Sequence, residues 1–157
     1  MTDQAQYFEY MQGRTFLAVL YRRNVLYPRL AKRIVGRLLD VGCGLGDMLA
    51  FRRNSVGADI NGRAVDFCRR RGLEAYLMES GRLPFDDESF GSVLMDNVLE
   101  HIEDPVSMLT DVRRILPPQG RLLIGVPGSR GWDCDPDHKV RYDEDSLVAY
   151  GESNGFR

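Results

Sequence analysis

Short apolar runs and stretches of helical periodicity take turns along this chain, and the alternation is that of βαβ units. Leu38, Leu39, Asp40 and Val41 form a buried strand that runs into Gly42-Cys43-Gly44-Leu45-Gly46, with a helix from Asp47 through Phe51. Residues 55–60, 73–79, 92–95 and 121–126 predict four further strands, the last Leu-Leu-Ile rich as a sheet covered on both faces requires. Asn61 caps the helix after the second strand, with Ala64, Phe67 and Cys68 inward, Arg69 to Arg71 at its positive-tolerant end and Gly72 as its stop. Asp104-Pro105 starts another helix, whose buried stripe is Val106, Leu109, Val112 and Leu116. Residues 127–139 predict a loop, and Asp143-Glu144-Asp145 opens a final helix through Leu147, Val148 and Tyr150. Ahead of all this, residues 5–36 predict two or three helices broken near Gly13 and at Pro28, with Phe16, Leu17, Leu20, Tyr21, Leu26, Leu30 and Ile34 at helical spacing.

The glycine-rich turn carries the first chemistry. Alternate glycines let the main chain bend sharply and keep side chains away from a ligand, while the helix start offers unpaired N–H groups. A dinucleotide fingerprint, G-x-G-x-x-G, places its third glycine where this chain has Asp47, and an acid there repels a pyrophosphate. The better fit is a nucleoside with a small charged tail. Asp59, ending the second strand of a parallel unit, is placed to accept hydrogen bonds from ribose hydroxyls.

Composition narrows the setting. A chain of 157 residues with 43% apolar content supports one sizeable core, and a net charge of −2 gives no overall pull toward nucleic acid. The opening Met1-Thr2-Asp3-Gln4 is not that of a signal peptide, and no apolar run approaches a membrane span. Cys43, Cys68 and Cys134 are odd in number and widely spaced, which disfavours disulfide and zinc frameworks and fits a cytoplasmic location. Between Tyr10 and Leu39 there are no acids but seven bases, Arg14, Arg22, Arg23, Arg29, Lys32, Arg33 and Arg37. Such a face is either solvated or meets phosphate groups or an anionic membrane surface.

Two stretches carry a family resemblance. Asp40, Gly42, Gly44 and Gly46 match D-x-G-x-G-x-G, which resembles motif I of the class I S-adenosylmethionine (SAM) methyltransferases. The block from Leu83-Pro84-Phe85 through Ser89-Phe90 to Val98-Leu99-Glu100-His101-Ile102 resembles a stretch of the subgroup that includes quinone and many small-molecule methylating enzymes. Gly91 stands where that subgroup usually has Asp, and Pro118-Gln119-Gly120 replaces its Pro-Gly-Gly. The resemblance covers roughly residues 36–157. It implies a doubly wound, mostly parallel α/β sheet of Rossmann-like type over residues 37–157, and the helices read from spacing ahead of it are expected to form an N-terminal cap over residues 1–36. It implies SAM as cofactor, with Asp40, Gly42, Cys43, Gly44 and Gly46 at the glycine turn and Asp59 on the ribose. Ile60 would pack on the adenine face, Glu79 would accept from the adenine amino group, and Ser80 would offer its backbone N–H. Asp96 and Asn97 would line the methionine and acceptor side.

The expected reaction is methyl transfer to a small-molecule or glycan- or lipid-linked acceptor at oxygen, a SAM-binding scaffold without catalysis being the alternative. His138 is the first candidate for a base and His101 the second. Asp135, Asp137 and His138 on one short loop make an incomplete metal cage, so no metal is expected. The tail around His138, Tyr142, Leu147 and Gly155-Phe156 resembles methyltransferases of surface-polysaccharide and lipid-modifying pathways, which suits a lipid-linked substrate beside the basic helices. The family's sheet continues with two more strands after the Gly-Phe. Their absence from these residues leaves the fifth strand as an edge, for a longer chain or a second copy in a homodimer to cover.

Overall fold

The computed structural model describes residues 4–133, 135 and 137–157; Cys134 and the opening Met1-Thr2-Asp3 lie outside them. Five strands, β1 (Leu38–Val41), β2 (Ser55–Asp59), β3 (Ala75–Leu77), β4 (Ser92–Asp96) and β5 (Arg121–Gly125), pair in parallel in the order β3-β2-β1-β4-β5. Asp40 sits opposite Gly57 on one side and Leu94 on the other. The order reverses between β1 and β4, so connections leave toward opposite faces there and open a crevice beyond the strand ends.

Both faces are covered, and the period of two in each strand sorts the side chains. Leu39, Val41, Val93 and Met95 pack with Met108, Leu109, Val112 and Ile115 of α6 (Val106–Ile115). Leu38, Leu94 and Leu123 pack with Tyr27, Ile34 and Met48, contributed by α3 (Tyr27–Ala31), the turn after it, and α4 (Asp47–Phe51). Cys43, Leu49, Val65, Cys68 and Ala75 join α4 and β3 to α5 (Gly62–Arg70). Asn61 accepts from the Arg63 N–H and Gly72 takes φ +73°, so α5 begins and ends as its sequence predicts. The last helix, α8 (Glu144–Ser153), is held by a reciprocal cap between Asp143 and Ser146.

Several expectations change. The third strand is shorter than residues 73–79, since pairing with β2 ends at Leu77. Pro105 precedes the first turn of α6, Val106 is exposed, and Met108 and Ile115 take the buried places given to Val106 and Leu116 in the stripe, although Leu116 is itself buried just past the helix end. The stretch 127–139 contains a one-turn helix, α7 (Ser129–Trp132). In β5 Leu123 is buried and its neighbours are half-buried, because no strand pairs with its outer edge among the described residues.

The N-terminal segment departs furthest. After α1 (Gln4–Gln12) comes α2 (Phe16–Tyr21), which passes through a π-helical turn at Arg22–Leu26 into α3, so Pro28 sits inside the first turn of a helix instead of breaking one. The spacing of Phe16, Leu17, Leu20 and Tyr21 is helical, yet all four are exposed, Phe16 by 77% and Leu17 by 74%. Among the described residues, no helix is long and apolar enough to cross a membrane.

Candidate functional site

The glycine turn is built by close packing as much as by backbone freedom. Gly42, Gly44 and Gly46 all have positive φ. A Cβ on Gly42 would fall 2.6 Å from Val98 Cγ2, and one on Gly46 would fall 2.7 Å from Cys68 Sγ. The Gly42 N–H donates to the Ala58 carbonyl (2.7 Å), which ties the turn to β2. Asp59 completes the clasp: its Oδ2 accepts from the Gly44 N–H and its Oδ1 from the Asn61 N–H, each at 2.8 Å. Burial pushes the Asp59 carboxyl upward, and these backbone donors oppose the shift.

Beside the turn lies a cavity of about 380 Å³. Asp40 and Asp96 reach it by the same arithmetic, each two residues beyond a leucine that faces the N-terminal helices. Burial, with Asp96 and Asp59 close by, pushes the Asp40 carboxyl well up, while Arg22 opposes that shift. Arg22 Nη1 donates to Asp96 Oδ2 at 2.7 Å, and Arg14 Nη2 stands 2.9 Å from Asp47 Oδ2. Two of the seven N-terminal bases therefore reach inward, which the charge pattern alone did not assign. Asn97 takes φ +58°, a conformation asparagine tolerates better than most residues.

The far end is aromatic and basic. The 3₁₀ turn Leu99–His101 places His101 on the cavity with Tyr7 of α1 edge-on against it, ring centres 6.1 Å apart. Burial, with Asp135, Asp59 and Glu100 nearby, pushes the Tyr7 hydroxyl up to about 12. His138 comes from the loop after α7 and lines the same cavity; its Nδ1 is 2.7 Å from the Trp132 carbonyl, and its ring centre 5.0 Å from that of His101. The Glu100 carbonyl accepts from the N–H groups of Lys139 (2.7 Å) and Val140 (3.2 Å), which pins that loop to the 3₁₀ turn. Burial lowers the His101 imidazole and raises the Glu100 carboxyl to about 7.

Of the residues expected at the site, Asp40, Gly42, Cys43, Gly44, Asp96, Asn97, His101 and His138 line this cavity. Gly46 lies behind it against α5, and Asp59 serves the turn. Ile60, Glu79 and Ser80 are exposed and lie outside the cavity lining, on segments joined where the Met78 N–H donates to the Asp59 carbonyl at 3.0 Å. Sequence reading missed Tyr7, Arg14 and Arg22, whose partners His101, Asp47 and Asp96 lie far away along the chain, and Trp132, whose carbonyl meets the nearby His138. It passed over Glu100 although that residue adjoins His101. Asp135 lines the cavity, but the group that converges is Glu100, His101 and His138.

The observed site fits a SAM molecule in one respect that can be tested on geometry. The Gly42 and Gly44 backbone borders a cavity whose walls hold four acids, Asp40, Asp47, Asp96 and Asp135, a setting suited to an ammonium group, and Ile60, just after β2, is exposed outside it. Comparison with known proteins agrees. Residues 39–124 match the model of a methyltransferase domain family, methyltransferase 11. A probable SAM-dependent methyltransferase of Mycolicibacterium smegmatis is 30% identical over 86% of this chain and 58% of its own length. A probable tRNA methyltransferase 9B of Homo sapiens is 27% identical over 95% of this chain and 32% of its own. A SAM-dependent methyltransferase of Thermotoga maritima, described as a possible histamine N-methyltransferase, superposes with a TM-score of 0.85 at 21% identity, covering all of this chain and 82% of that one. This chain spans roughly a third to three fifths of the length of those two curated relatives. With the glycine turn, the sheet order and the family match in agreement, the chain belongs to the methyltransferase domain family, whose cofactor is S-adenosylmethionine.

Proposed function

We propose that this chain catalyses methyl transfer from SAM to an oxygen of a small-molecule, glycan- or lipid-linked acceptor. The observation that carries the reading is the single cavity wall running from the Gly42–Gly44 backbone and Asp40 to His101 and His138. SAM supplies a methyl group already activated on a sulfonium sulfur. Asp40 and Asp96 would take the ammonium end, the glycine turn would pass the ribose, and Ile60, Glu79 and Ser80 would take the adenine. Residues 1–36 would act as a cap, since Met11 lies against Gly44 and Tyr7 against His101. The protein's main task is alignment of acceptor, methyl and sulfur, worth about 7–11 kcal/mol when the geometry is right. Activation of an acceptor hydroxyl falls to the histidine end. The exposed apolar face of α2 next to Arg23 suits an acceptor presented at a lipid surface.

Calorimetric titration with SAM and with NADH, followed by turnover of methyl-labelled SAM, tests this reading. Micromolar SAM binding without NADH binding, and label in hydroxylated glycolipid or small-molecule acceptors, is expected. Label in bulk transfer RNA, the acceptor class named for the human relative, would replace the proposed acceptor. Binding without any turnover would leave a SAM-binding scaffold.

A further inference from the structure

Glu100 is the side chain that the methyl-donor site leaves unexplained. It is fully buried, and neither carboxylate oxygen has a hydrogen-bond partner among the described residues. Buried carboxylates are normally paired, hydrogen-bonded or coordinated to a metal. Its neighbour is His138, whose Nε2 stands 4.0 Å from Glu100 Oε1, too far for a hydrogen bond. A carbonyl only accepts, so the 2.7 Å contact with the Trp132 carbonyl requires the proton on His138 Nδ1. In the neutral ring Nε2 then carries a lone pair that faces the Glu100 carboxyl, and at 4.0 Å no hydrogen bond joins the two. His101 is fixed in the same way, its Nδ1 lying 3.3 Å from the Asp137 carbonyl. One ligand atom from each of Glu100, His101 and His138 lies within 4.8 Å of the other two. Donor atoms around one cation at about 2.0–2.2 Å sit about 3–4 Å apart, so a small inward adjustment closes the set. Histidines whose second nitrogen is held by a backbone carbonyl are the usual supporting arrangement for metal ligands.

We propose that Glu100, His101 and His138 bind one divalent transition-metal cation of the zinc or cobalt class at the histidine end of the cavity. Two imidazoles and a carboxylate suit such ions and are poor ligands for magnesium or calcium. Both histidines line the cavity while Glu100 lies behind them, so an open coordination position faces inward, where an acceptor oxygen would bind. This role rests on the methyl-transfer reading, though ion binding itself does not. An acceptor hydroxyl on the cation loses its proton to solvent more readily. Its oxygen then forms the bond to the methyl carbon, and the electron pair of the broken carbon–sulfur bond stays on sulfur. In that arrangement the two histidines act as ligands and need not act as bases.

Tag-free, chelator-stripped protein should be titrated with Zn²⁺ by calorimetry and with Co²⁺ by visible absorption. One ion per chain is expected, with ligand-field bands for cobalt, and at least a tenfold loss of affinity in both His138→Ala and Glu100→Gln. Parallel SAM titration and circular dichroism verify that each variant is folded; His101→Ala, on the cavity wall, supplies a third folded variant with the same expected loss. Absence of a 1:1 site, or affinity unchanged in folded variants, overturns the proposal. Ion binding without SAM binding upholds the ion site and overturns the methyl-transfer reading instead.

Discussion

The two ends of the cavity are built by different means. At the glycine turn, donors and packing come from one contiguous stretch and the strand beside it, and the functional surface is main chain. At the histidine end, the groups come from α1, the 3₁₀ turn and the loop after α7, and the functional surface is side chain. A main-chain site is set once its strand and turn form. A side-chain site depends on how distant segments dock, and here that docking rests on the Glu100 carbonyl holding residues 139 and 140. The donor end should therefore be stiff and coupled to stability, the acceptor end separable from it.

The largest expected effect breaks the acceptor end alone. His138→Ala should lower turnover by about 10²-fold or more while SAM affinity stays within a few-fold, because ordinary acid–base or metal-ligand contributions are of that size. Parallel loss of SAM affinity in calorimetry would show that the two ends are not separable. Asp59→Ala should do the opposite. It removes two charge-assisted bonds of about 1.5–3 kcal/mol each, partly offset by relief of a buried carboxylate, so denaturant stability and SAM affinity should fall together. Unchanged stability would mean that Asp59 does not hold the turn.

Gly42→Ala sharpens the same end by another route. A left-handed alanine costs about 1–2 kcal/mol, and its Cβ must also displace Val98, so a total near 2–4 kcal/mol in chemical denaturation is expected. A smaller effect is expected away from both ends, at Asp111. Burial raises its carboxyl, but the Arg114 side chain and the Leu83 N–H (2.6 Å) outweigh burial and hold it below the usual carboxylate range. Its contribution is thus present above the ordinary carboxylate range and lost as pH falls through the depressed value. Asp111→Asn should cost about 1 kcal/mol at neutral pH, and the difference from the parent protein should close in acid. The smallest effect on stability, within about 0.5 kcal/mol, is expected for Phe16→Ser with Leu17→Ser, since both side chains already face solvent. Sedimentation with anionic vesicles should nevertheless drop if α2 serves a lipid-borne acceptor.

The same division explains what could be read in the sequence. Strand, turn and helix around Asp40 to Met48 follow from local rules, and so do the cap at Asn61 and the start of α8 after Asp143, because the groups involved are within a few residues of one another. Asp40 and Asp96 are placed at the crevice by the family resemblance, and their positions at strand ends are local as well. Arg14 and Arg22 could not be placed there: within their own stretch they look like members of a basic surface, and only the docking of the α1–α2 junction and of the π turn delivers them to Asp47 and Asp96. Phe16 and Leu17 lie in a helix as their spacing predicts, yet both are exposed, since helical spacing gives a face but does not supply something for it to pack against.

What the sequence by itself determined is the order of strands and helices, the backbone-lined turn and the class of cofactor it suits. Those depend on period, glycine placement and short-range caps, which are local. Tertiary structure alone decided that Glu100 lies bare beneath two histidines, that Asp59 gives one acceptor oxygen to the Gly44 N–H of the turn, and that α1 closes the cavity with Tyr7 and Met11. Each of these depends on a contact between segments many residues apart, and burial, which sets both the charge states and the unmet bonding capacity, is a property of the packed molecule.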